Sequence, residues 1–332
     1  PHIFPSICIC TVSDRGSNVE AQTEQGPGMS LNTPSDCTES DTSPVLAGWI
    51  YGLIGMLGFS LTLPATRIAV AEMDPQFVAF GRALVAAVPA AVLLLINRGP
   101  VPSRTQLGAL SGVALGVVVG FPLLTAWAMQ SVPANHGAVV IAVLPLATAV
   151  AAALRNGERP TRGFWGWCIL GAVLVTVYAL CRSDGELHLA DLALLGAVAS
   201  AAWGYAEGAR LTPILGGWRV ISWALLLSAP PLGLLLALSP RSGLQPVSTQ
   251  AWLAFAYVAL ISQFLAFFAW YRGLALGGVA RVAQLQLLMP FCTLAASAVL
   301  LGEKIPVSAL VFAVLVLATV MMGARSGRSR PS

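Results

Sequence analysis

From Val45 onward the sequence is a succession of apolar runs, each about as long as a lipid bilayer is thick. A helix needs about 20 apolar residues to cross the hydrocarbon core. Lipid offers no partner to an unpaired backbone group, so runs of this kind must form helices. The sequence therefore predicts an all-α integral membrane protein with ten transmembrane helices. The predicted spans are residues 46–66, 77–96, 107–128, 136–154, 163–180, 189–208, 218–238, 251–271, 280–301 and 306–323.

The composition of the whole chain supports the same class. Hydrophobic residues make up 57% and charged residues 10%, and the mean hydropathy is +0.79, whereas roughly 25% of the residues in a soluble domain are charged. The sequence contains no phosphate-binding loop, dinucleotide fingerprint, nucleophile elbow or zinc-binding helix motif. Its 6 cysteines have no metal or redox spacing. We therefore expect no catalytic residue, no metal and no cofactor.

The first 44 residues differ from the rest in composition. They are rich in Ser, Thr, Asn, Gln, Pro and acidic residues, and a segment of this kind cannot bury enough apolar surface to fold. They are also unlike a secretory signal or a transit peptide. We predict a disordered leader at 1–44. Because Met29 is the first methionine, residues 1–28 are interpreted as an extension upstream of the natural start, with a native disordered tail as the alternative.

Basic residues are distributed unevenly between the two sides of the predicted bundle. With the N-terminus in the cytoplasm, twelve arginines fall on the inside and four basic residues on the outside, and such an excess marks the cytoplasmic side. We therefore predict that both termini are cytoplasmic and that the net charge of +4 reflects topology rather than a nucleic-acid partner. The inside set is Arg98, Arg104, Arg155, Arg159, Arg162, Arg210, Arg219, Arg272, Arg281, Arg325, Arg328 and Arg330, and the outside set is Arg67, Arg182, Arg241 and Lys304.

The chain repeats part of its own sequence at an offset of 145 residues. Pro145 and Glu158 recur as Pro290 and Glu303, with a glycine before each glutamate and a base after it. Five spans in each half is an odd number, so the second half must cross the membrane in the opposite sense to the first. Two inverted five-helix repeats are typical of secondary transporters with a substrate site near the midplane. The predicted repeats are residues 45–182 and 183–324, followed by a basic cytoplasmic tail at 325–332.

Residues 45–323 resemble the EamA-like transporters of the drug/metabolite transporter superfamily. The resemblance rests on the five-plus-five spans, the two proline-to-glutamate segments and a second-span segment from Pro75 to Arg82. It implies a secondary carrier that moves small metabolites, often outward, through a central cavity lined by both halves. The first span departs from the family's commoner Trp-Gly pair by having Gly-Phe-Ser at 58–60, whereas Trp-Gly at 203–204 in the sixth span keeps it.

Three polar residues within the spans, Arg82, Gln263 and Gln284, are candidates for a substrate cavity. Such groups are unfavourable in lipid unless they face the protein interior or water. Arg82 would attract an anionic group of the substrate, or alternatively would reach the interface or pair with Glu72 or Asp74 in the preceding loop. Gln263 and Gln284 lie at similar depth in neighbouring spans, where cavity lining and plain interhelical hydrogen bonding are both consistent with the sequence.

Three aromatic residues are candidates for the walls of the same cavity. They are Phe59 in the first span, Trp127 at the end of the third and Trp203 in the sixth. The alternative for the tryptophans is an interfacial belt, which needs no ligand.

Two ionisable residues are candidates for proton coupling. Glu207 is the carboxylate that the sequence places well within a span, and an ion pair with Arg210 on the same helix face is the alternative. His136 opens the fourth span, and histidine titrates near neutral pH, although a structural role is the alternative. Pro145 and Pro290 break helix hydrogen bonds mid-span, and we predict that they serve as kinks for gating.

Together these features predict a secondary transporter that exports small polar metabolites or drugs by alternating access. An integral-membrane enzyme and a non-transporting membrane scaffold or sensor are the alternative classes. The expected partners are a small-molecule substrate and the lipid bilayer, and a homodimer is left open. The use of arginine with a single lysine favours a GC-rich bacterial genome, and hence the bacterial inner membrane as the location.

Overall fold

The computed structural model describes residues 42–97, 101–156, 161–182, 188–239, 246–277 and 282–326. The predicted leader up to residue 41 and the basic tail beyond residue 326 lie outside the described residues. Within the described ranges every regular element is helical, as the lipid environment requires. The elements are α1 Thr42–Ser60, α2 Thr62–Val70, α3 Pro75–Ile96, α4 Arg104–Val113, a first π segment Ala114–Gly120, α5 Phe121–Ala128, α6 Ala134–Ile141, α7 Leu144–Asn156, α8 Arg162–Arg182, α9 Leu189–Leu215, α10 Gly217–Leu238, α11 Thr249–Ala256, a second π segment Tyr257–Leu265, α12 Ala266–Gly277, a 3-10 segment Ala283–Leu288, α13 Met289–Leu301 and α14 Val307–Ser326.

The described helices make the chain a multi-pass integral membrane protein. In the part of the chain that the structure describes, seven helices of 22 to 27 residues are long and apolar enough to cross a bilayer. Three shorter apolar helices coincide with the fifth, ninth and tenth predicted spans, so the count of ten spans stays a prediction. The seven are Leu46–Val70, Pro75–Ile96, Arg104–Ala128, Ala134–Arg155, Leu189–Leu215, Gly217–Leu238 and Thr249–Leu274, and the shorter three are Arg162–Tyr178, Leu285–Leu301 and Val307–Gly323.

Two helix irregularities recur at the sequence repeat of 145 residues. The helix that carries Pro145 begins at Leu144, and the helix that carries Pro290 begins at Met289, 145 residues later. Proline lacks an N–H and suits the first turn of a helix, so each proline lies at the start of a new helix instead of inside a continuous one. The first π segment, shifted by the same offset, falls at 259–265, inside the second π segment.

Helix packing follows the same correspondence. α1 packs along α12, and α9 packs along α4, the first π segment and α5. A shift of 145 residues relates these two contacts to each other. It places α1 on the start of α9 and α5 on α12, so the pair of α5 with α9 corresponds to the pair of α12 with α1. The contacts of α3 with α10 and of α8 with α14 each join an element to its own counterpart.

Glycine allows these helix pairs to approach at backbone distance. A methyl group added at Gly116 would lie 2.5 Å from the carbonyl oxygen of Ser200 and 2.7 Å from the Cα of Gly204. A methyl group at Gly273 would lie 2.6 Å from the backbone nitrogen of Gly52. Close crossings of this kind stabilise helix pairs in lipid through packing. Gly116 and Gly273 therefore serve the packing of the bundle.

The short loop before α3 uses both of its acidic residues locally. The Asp74 carboxylate accepts hydrogen bonds from the backbone N–H groups of Gln76 at 2.8 Å and Phe77 at 3.2 Å, and so caps α3. The Glu72 carboxylate accepts from the Ser248 backbone N–H at 2.6 Å and from the Ser248 hydroxyl at 2.7 Å. Glu72 thus ties this loop to the start of α11.

We expect the tie at Glu72 to weaken in acid. The backbone and side-chain hydrogen bonds from Ser248 lower the pKa of the Glu72 carboxyl. A group whose pKa is lowered by folding stabilises the fold above its unfolded pKa, and that contribution is lost as the pH falls through its folded pKa. The melting temperature of Glu72→Gln should therefore lie slightly below that of the wild type at pH 7, and the gap should close as the pH falls below 4.5, the ordinary pKa of a glutamate. A gap that stays constant over this range would contradict the expectation.

Candidate functional site

A small cavity lies where helices from both predicted repeats meet. Its volume is about 30 Å³, and since one water needs about 10–15 Å³ by this measure, it has room for about two water molecules. A metabolite can enter only if the surrounding helices part. The polar lining residues are Thr62, Arg82, Ser262, Gln263 and Thr293, and the remaining ones are Phe59, Leu63, Val117, Phe121, Ala138, Ile141, Leu144, Ala201, Tyr205, Phe267, Met289 and Pro290.

Arg82 is the charged member of this lining. It is 2% exposed, because α3 buries this face against the second π segment and α5. Its Nη2 donates a hydrogen bond of 3.1 Å to the Ser262 hydroxyl, which shares a 2.7 Å hydrogen bond with the Thr62 hydroxyl. Its Nε has no hydrogen-bond partner among the described residues. The sequence-based alternatives of a side chain at the interface, or paired with the preceding loop, do not occur in this structure.

Gln263 joins the two π segments. Its side chain is 1% exposed, and its Nε2 donates a 3.2 Å hydrogen bond to the carbonyl oxygen of Val117 in the first π segment. A π-helical turn displaces the regular i−4 pairing of the backbone and is frequently found at functional sites. Gln263 therefore faces inward, as predicted, and connects the two irregular helices at the point where they border the cavity.

The hydroxyl groups around Arg82 were not found by sequence reasoning. Thr62, Ser262 and Thr293 line the cavity, and the Thr293 hydroxyl donates a 2.7 Å hydrogen bond to the carbonyl oxygen of Ser60. Hydroxyl side chains in membrane helices commonly bond a carbonyl of their own helix, as Ser228 does. Serine and threonine thus have no distinguishing sequence pattern when they line a cavity, and only the position of Ser262 beside Gln263 gave a hint.

Phe59 contributes to the aromatic part of the wall. Its ring lies 4.9 Å from that of Phe267, in an edge-on arrangement, and 6.3 Å from that of Trp270. Tyr205 contacts Phe267 from the other side, at 6.2 Å. Edge-on pairs of this geometry are favourable beyond the area that they bury. The cavity is therefore lined by Phe59, Tyr205 and Phe267 as well as by the polar groups around Arg82.

Trp127 and Trp203 lie away from the cavity. Trp127 is 43% exposed and Trp203 is 41% exposed. Trp203 lines a separate apolar groove of about 370 Å³ between α7, α8 and α9. Composition indicates that a tryptophan lies in a span but not the direction in which it points, so their predicted role in the wall is not supported by this placement.

The ninth predicted span contains two glutamines, Gln284 and Gln286. Gln284 lies in the 3-10 segment, and its side chain is outside the described residues. Gln286 in the same segment is 4% exposed, and its Nε2 has no hydrogen-bond partner among the described residues. It is not one of the cavity-lining residues.

A buried pair joins His136 to Asp191 at one end of the bundle. The His136 Nε2 lies 2.6 Å from the Asp191 Oδ1, and the side chains are 4% and 1% exposed. The His136 ring also stacks on Tyr178, with centroids 5.2 Å apart. The sequence predicts His136 at the edge of its span but does not identify its partner Asp191, an acidic residue in the first turn of α9.

The same end contains a link between the C-terminal half and α6. The Glu303 carboxylate accepts hydrogen bonds from the backbone N–H groups of Ala134 and Asn135, both at 2.9 Å. The Asn135 side-chain amide donates to the Lys304 carbonyl at 3.1 Å. A carboxylate at a helix N-terminus is favoured by the unpaired N–H groups and the helix dipole. The repeated glutamate of the second half is therefore a helix cap for the first half.

At the opposite end of the bundle, one buried carboxylate forms ion pairs with two arginines. Glu207, which is 1% exposed, accepts from Arg155 and, at 3.0 Å, from Arg210 three residues along the same helix. Arg155 also lies over the Trp203 ring, 5.2 Å from its centroid. The predicted helical ion pair with Arg210 is therefore present, with a second cation from α7. Whether Glu207 or His136 couples protons stays a prediction.

This architecture occurs in known proteins. Residues 46–180 and 188–324 each match the EamA-like transporter family. The chain is 49% identical over 259 residues to the uncharacterized transporter YdeK of Bacillus subtilis (strain 168), and the match covers 78% of this chain and 90% of the relative. A crystal structure of a protein with 19% sequence identity superposes with a TM-score of 0.56 and covers 87% of this chain and 99% of that chain. At this identity the likeness is one of fold.

Proposed function

Because the chain belongs to the EamA-like transporter family, we propose that it is a secondary transporter that moves a small polar metabolite or drug through the central cavity. One observation carries the proposal. Arg82, Ser262 and Gln263 are buried polar groups that border one cavity at the junction of the two halves. Carriers built from inverted repeats bind their substrates at such a junction.

The proposed topology has ten spans in two inverted repeats with both termini in the cytoplasm. Two family matches of similar length support the repeat, as do the paired helix starts at Leu144 and Met289 and the paired π segments. The twelve-to-four distribution of basic residues supports the orientation. The Glu207 end of the bundle is then cytoplasmic, and the Glu303 end faces outward.

Alternating access is the proposed mechanism. A cavity with room for about two waters is too small for a metabolite, so the surrounding helices must part to admit one, first on one side of the membrane and then on the other. The proposed cytoplasmic gate is held closed by the ion pair of Glu207 with Arg155. The proposed outer gate is held closed by the hydrogen bonds of Glu303 to the start of α6 and by the pair of His136 and Asp191. Both sets join segments from different predicted halves. Pro145 and Pro290 lie at the starts of helices beside the cavity, where the helix can bend.

Export and proton coupling are the finer parts of the proposal. His136 is the proposed proton-binding group, because its partner Asp191 is buried with it and the pair lies at a gate. Vesicle assays with a pH gradient of either sign test both direction and coupling. Accumulation in inside-out vesicles that depends on an acidic interior would support proton-coupled export.

The test of the proposed site is transport per folded molecule. We expect Gln263→Ala to reduce transport in proteoliposomes at least tenfold, whereas its unfolding free energy should fall by only about 0.6 kcal/mol, the average for an interhelical hydrogen bond in a membrane. Gln284→Ala tests the neighbouring candidate in the same way. The matched control is Gln130→Ala, an exposed residue outside the cavity. Normal transport combined with easy unfolding would make Gln263 a packing residue and the site wrong.

The proposed topology has its own test. Reporter fusions after Gly323 and within residues 155–162 should both report a cytoplasmic location, because both positions carry the arginine excess. A fusion within residues 240–245, between the seventh and eighth predicted spans, is the control and should report the outside. Opposite readings at the first two positions would contradict the ten-span arrangement.

A further inference from the structure

We propose that the transported solute is an organic monoanion, a small carboxylate with an apolar body, and that its carboxylate binds Arg82. The inference rests on the proposed transport function and specifies the chemical class of solute for the same cavity.

The first step is the charge of Arg82. A guanidinium remains protonated under all ordinary conditions, and a buried charge is unfavourable unless it is paired. Arg82 takes part in no ion pair among the described residues, and its Nη2 donates a hydrogen bond to the neutral hydroxyl of Ser262. The cavity therefore contains a positive charge without a protein counter-ion in the described part of the chain.

The second step is that the described carboxylates are engaged elsewhere. Each one has a partner away from the cavity, and none belongs to the cavity lining. A rearrangement that brought one of them to Arg82 would have to break that existing contact. The contacts are Glu72 with Ser248, Asp74 with the start of α3, Asp191 with His136, Glu207 with Arg155 and Arg210, and Glu303 with the start of α6.

The third step is the free donor capacity at Arg82. Ser262 occupies one donor of Nη2, and Nε is without a hydrogen-bond partner among the described residues. A carboxylate can accept two parallel hydrogen bonds from the Nε and Nη groups of a guanidinium, and this bidentate arrangement is the strongest of its kind. Thr62 and Thr293 border the same cavity with hydroxyl groups.

The last step is the overall charge and shape of the solute. One arginine neutralises one negative charge, so a dianion would leave a buried charge unpaired. An ammonium group would find no carboxylate among the lining residues that the structure describes. Phe59, Phe121 and Phe267 also line the cavity, and their rings suit a hydrocarbon or aromatic body. These constraints favour a monocarboxylate over amines, amino acids and phosphate esters.

The experiment uses the full chain in lipid nanodiscs and an isosteric series of probes. Benzoate, benzamide and benzylamine share one body and differ in charge, and butyrate with butyramide extends the comparison to an aliphatic body. Affinity is measured by thermal shift and by quenching of intrinsic tryptophan fluorescence for the wild type, Arg82→Gln, Arg82→Lys and the exposed control Arg104→Gln. Transport of the same probes is measured separately in proteoliposomes.

We expect a carboxylate to bind the wild type at least tenfold more tightly than its amide and amine counterparts. Arg82→Gln should abolish the preference, Arg82→Lys should keep part of it, and Arg104→Gln should leave it unchanged. If Arg82→Gln fails to fold, Arg82→Lys decides, because a lysine retains the charge but not the bidentate geometry and should weaken carboxylate binding selectively.

The inference is overturned if no carboxylate binds, if amide or amine binds equally well, or if Arg82→Lys and Arg82→Gln keep the wild-type preference. Transport of a neutral or cationic solute with no carboxylate binding would overturn the anion class and leave the transporter proposal standing. Selective carboxylate binding without transport of any probe would support the site and count against the transporter proposal.

Discussion

Replacing Gly116 by leucine is expected to leave almost no folded protein. Even the first carbon of the new side chain would lie 2.5 Å from the Ser200 carbonyl oxygen, 2.7 Å from the Gly204 Cα and 2.8 Å from the Gly204 nitrogen. These are backbone atoms that cannot rotate away, so the first π segment and α9 would have to separate. Overpacking costs about 1–3 kcal/mol where side chains can adjust, and we expect about 3 kcal/mol or more here.

Gly108→Leu is the matched control for this substitution. Gly108 lies on α4 in the same predicted span, and a Cβ at that position would meet no atom within 4 Å. Leucine is also a better helix former than glycine by about 0.8 kcal/mol, so the control should be neutral or slightly stabilised. Yield of monodisperse protein and melting temperature in detergent measure both. Equal yields for the two variants would show that the close crossing of these helices is wrong.

Removing both cations from Glu207 is expected to have the second largest effect. In Arg155→Ala/Arg210→Ala the Glu207 carboxylate, 1% exposed, would lose its two ion-pair partners. Breaking a buried ion pair from one side typically costs about 3–5 kcal/mol, because an uncompensated charge remains, and the 38% and 46% exposure of the arginine side chains places the expected loss at the lower end of this range. The unfolding free energy in detergent should therefore drop by about that amount, while the single variants each retain one cation and should lose less.

The decisive comparison is a third substitution in the same background. Adding Glu207→Gln removes the stranded charge and should restore most of the lost stability, since replacing all members of a buried ion pair is often close to neutral. Arg104→Ala, at an exposed arginine, serves as the control for removal of a positive charge. A triple variant no more stable than the double variant would indicate that the arginines act through packing on Trp203 and not through charge.

The sequence predicted the class of fold and part of the site, for reasons that can be stated. Spans are predictable because lipid requires long apolar helices. Arg82 and Gln263 were predicted to line a cavity because charged and amide groups are unfavourable in lipid, and both border the same cavity in the structure. Phe59 and Pro290 also border it, although their roles in binding and gating stay predictions.

The sequence did not predict the direction in which a side chain projects from its helix, nor the contacts between residues far apart in the chain. Hydropathy sets how deep Trp203 lies but not the face of α9 on which it projects, and the bundle turns it toward a lateral groove. Glu72 lies near Arg82 along the chain, yet it bonds Ser248, 176 residues away. The partnership of Glu303 with the start of α6 likewise spans 169 residues. Contacts at such separations are decided by the packing of whole helices.

The π segments make the length of their helices, as well as their composition, a determinant of the cavity. A π turn pairs each N–H with the carbonyl five residues back instead of four, so it accommodates one residue more than an α-helix of the same length. Deletion of one residue from Ala114–Gly120, with the segment reverting to regular α-helix, would leave the side chains beyond it close to their present directions. It would remove the irregular backbone at which Val117 presents its carbonyl to Gln263. A relative that lacks one residue in this span is therefore expected to have a differently bonded cavity, even if all its amino acids there are the same.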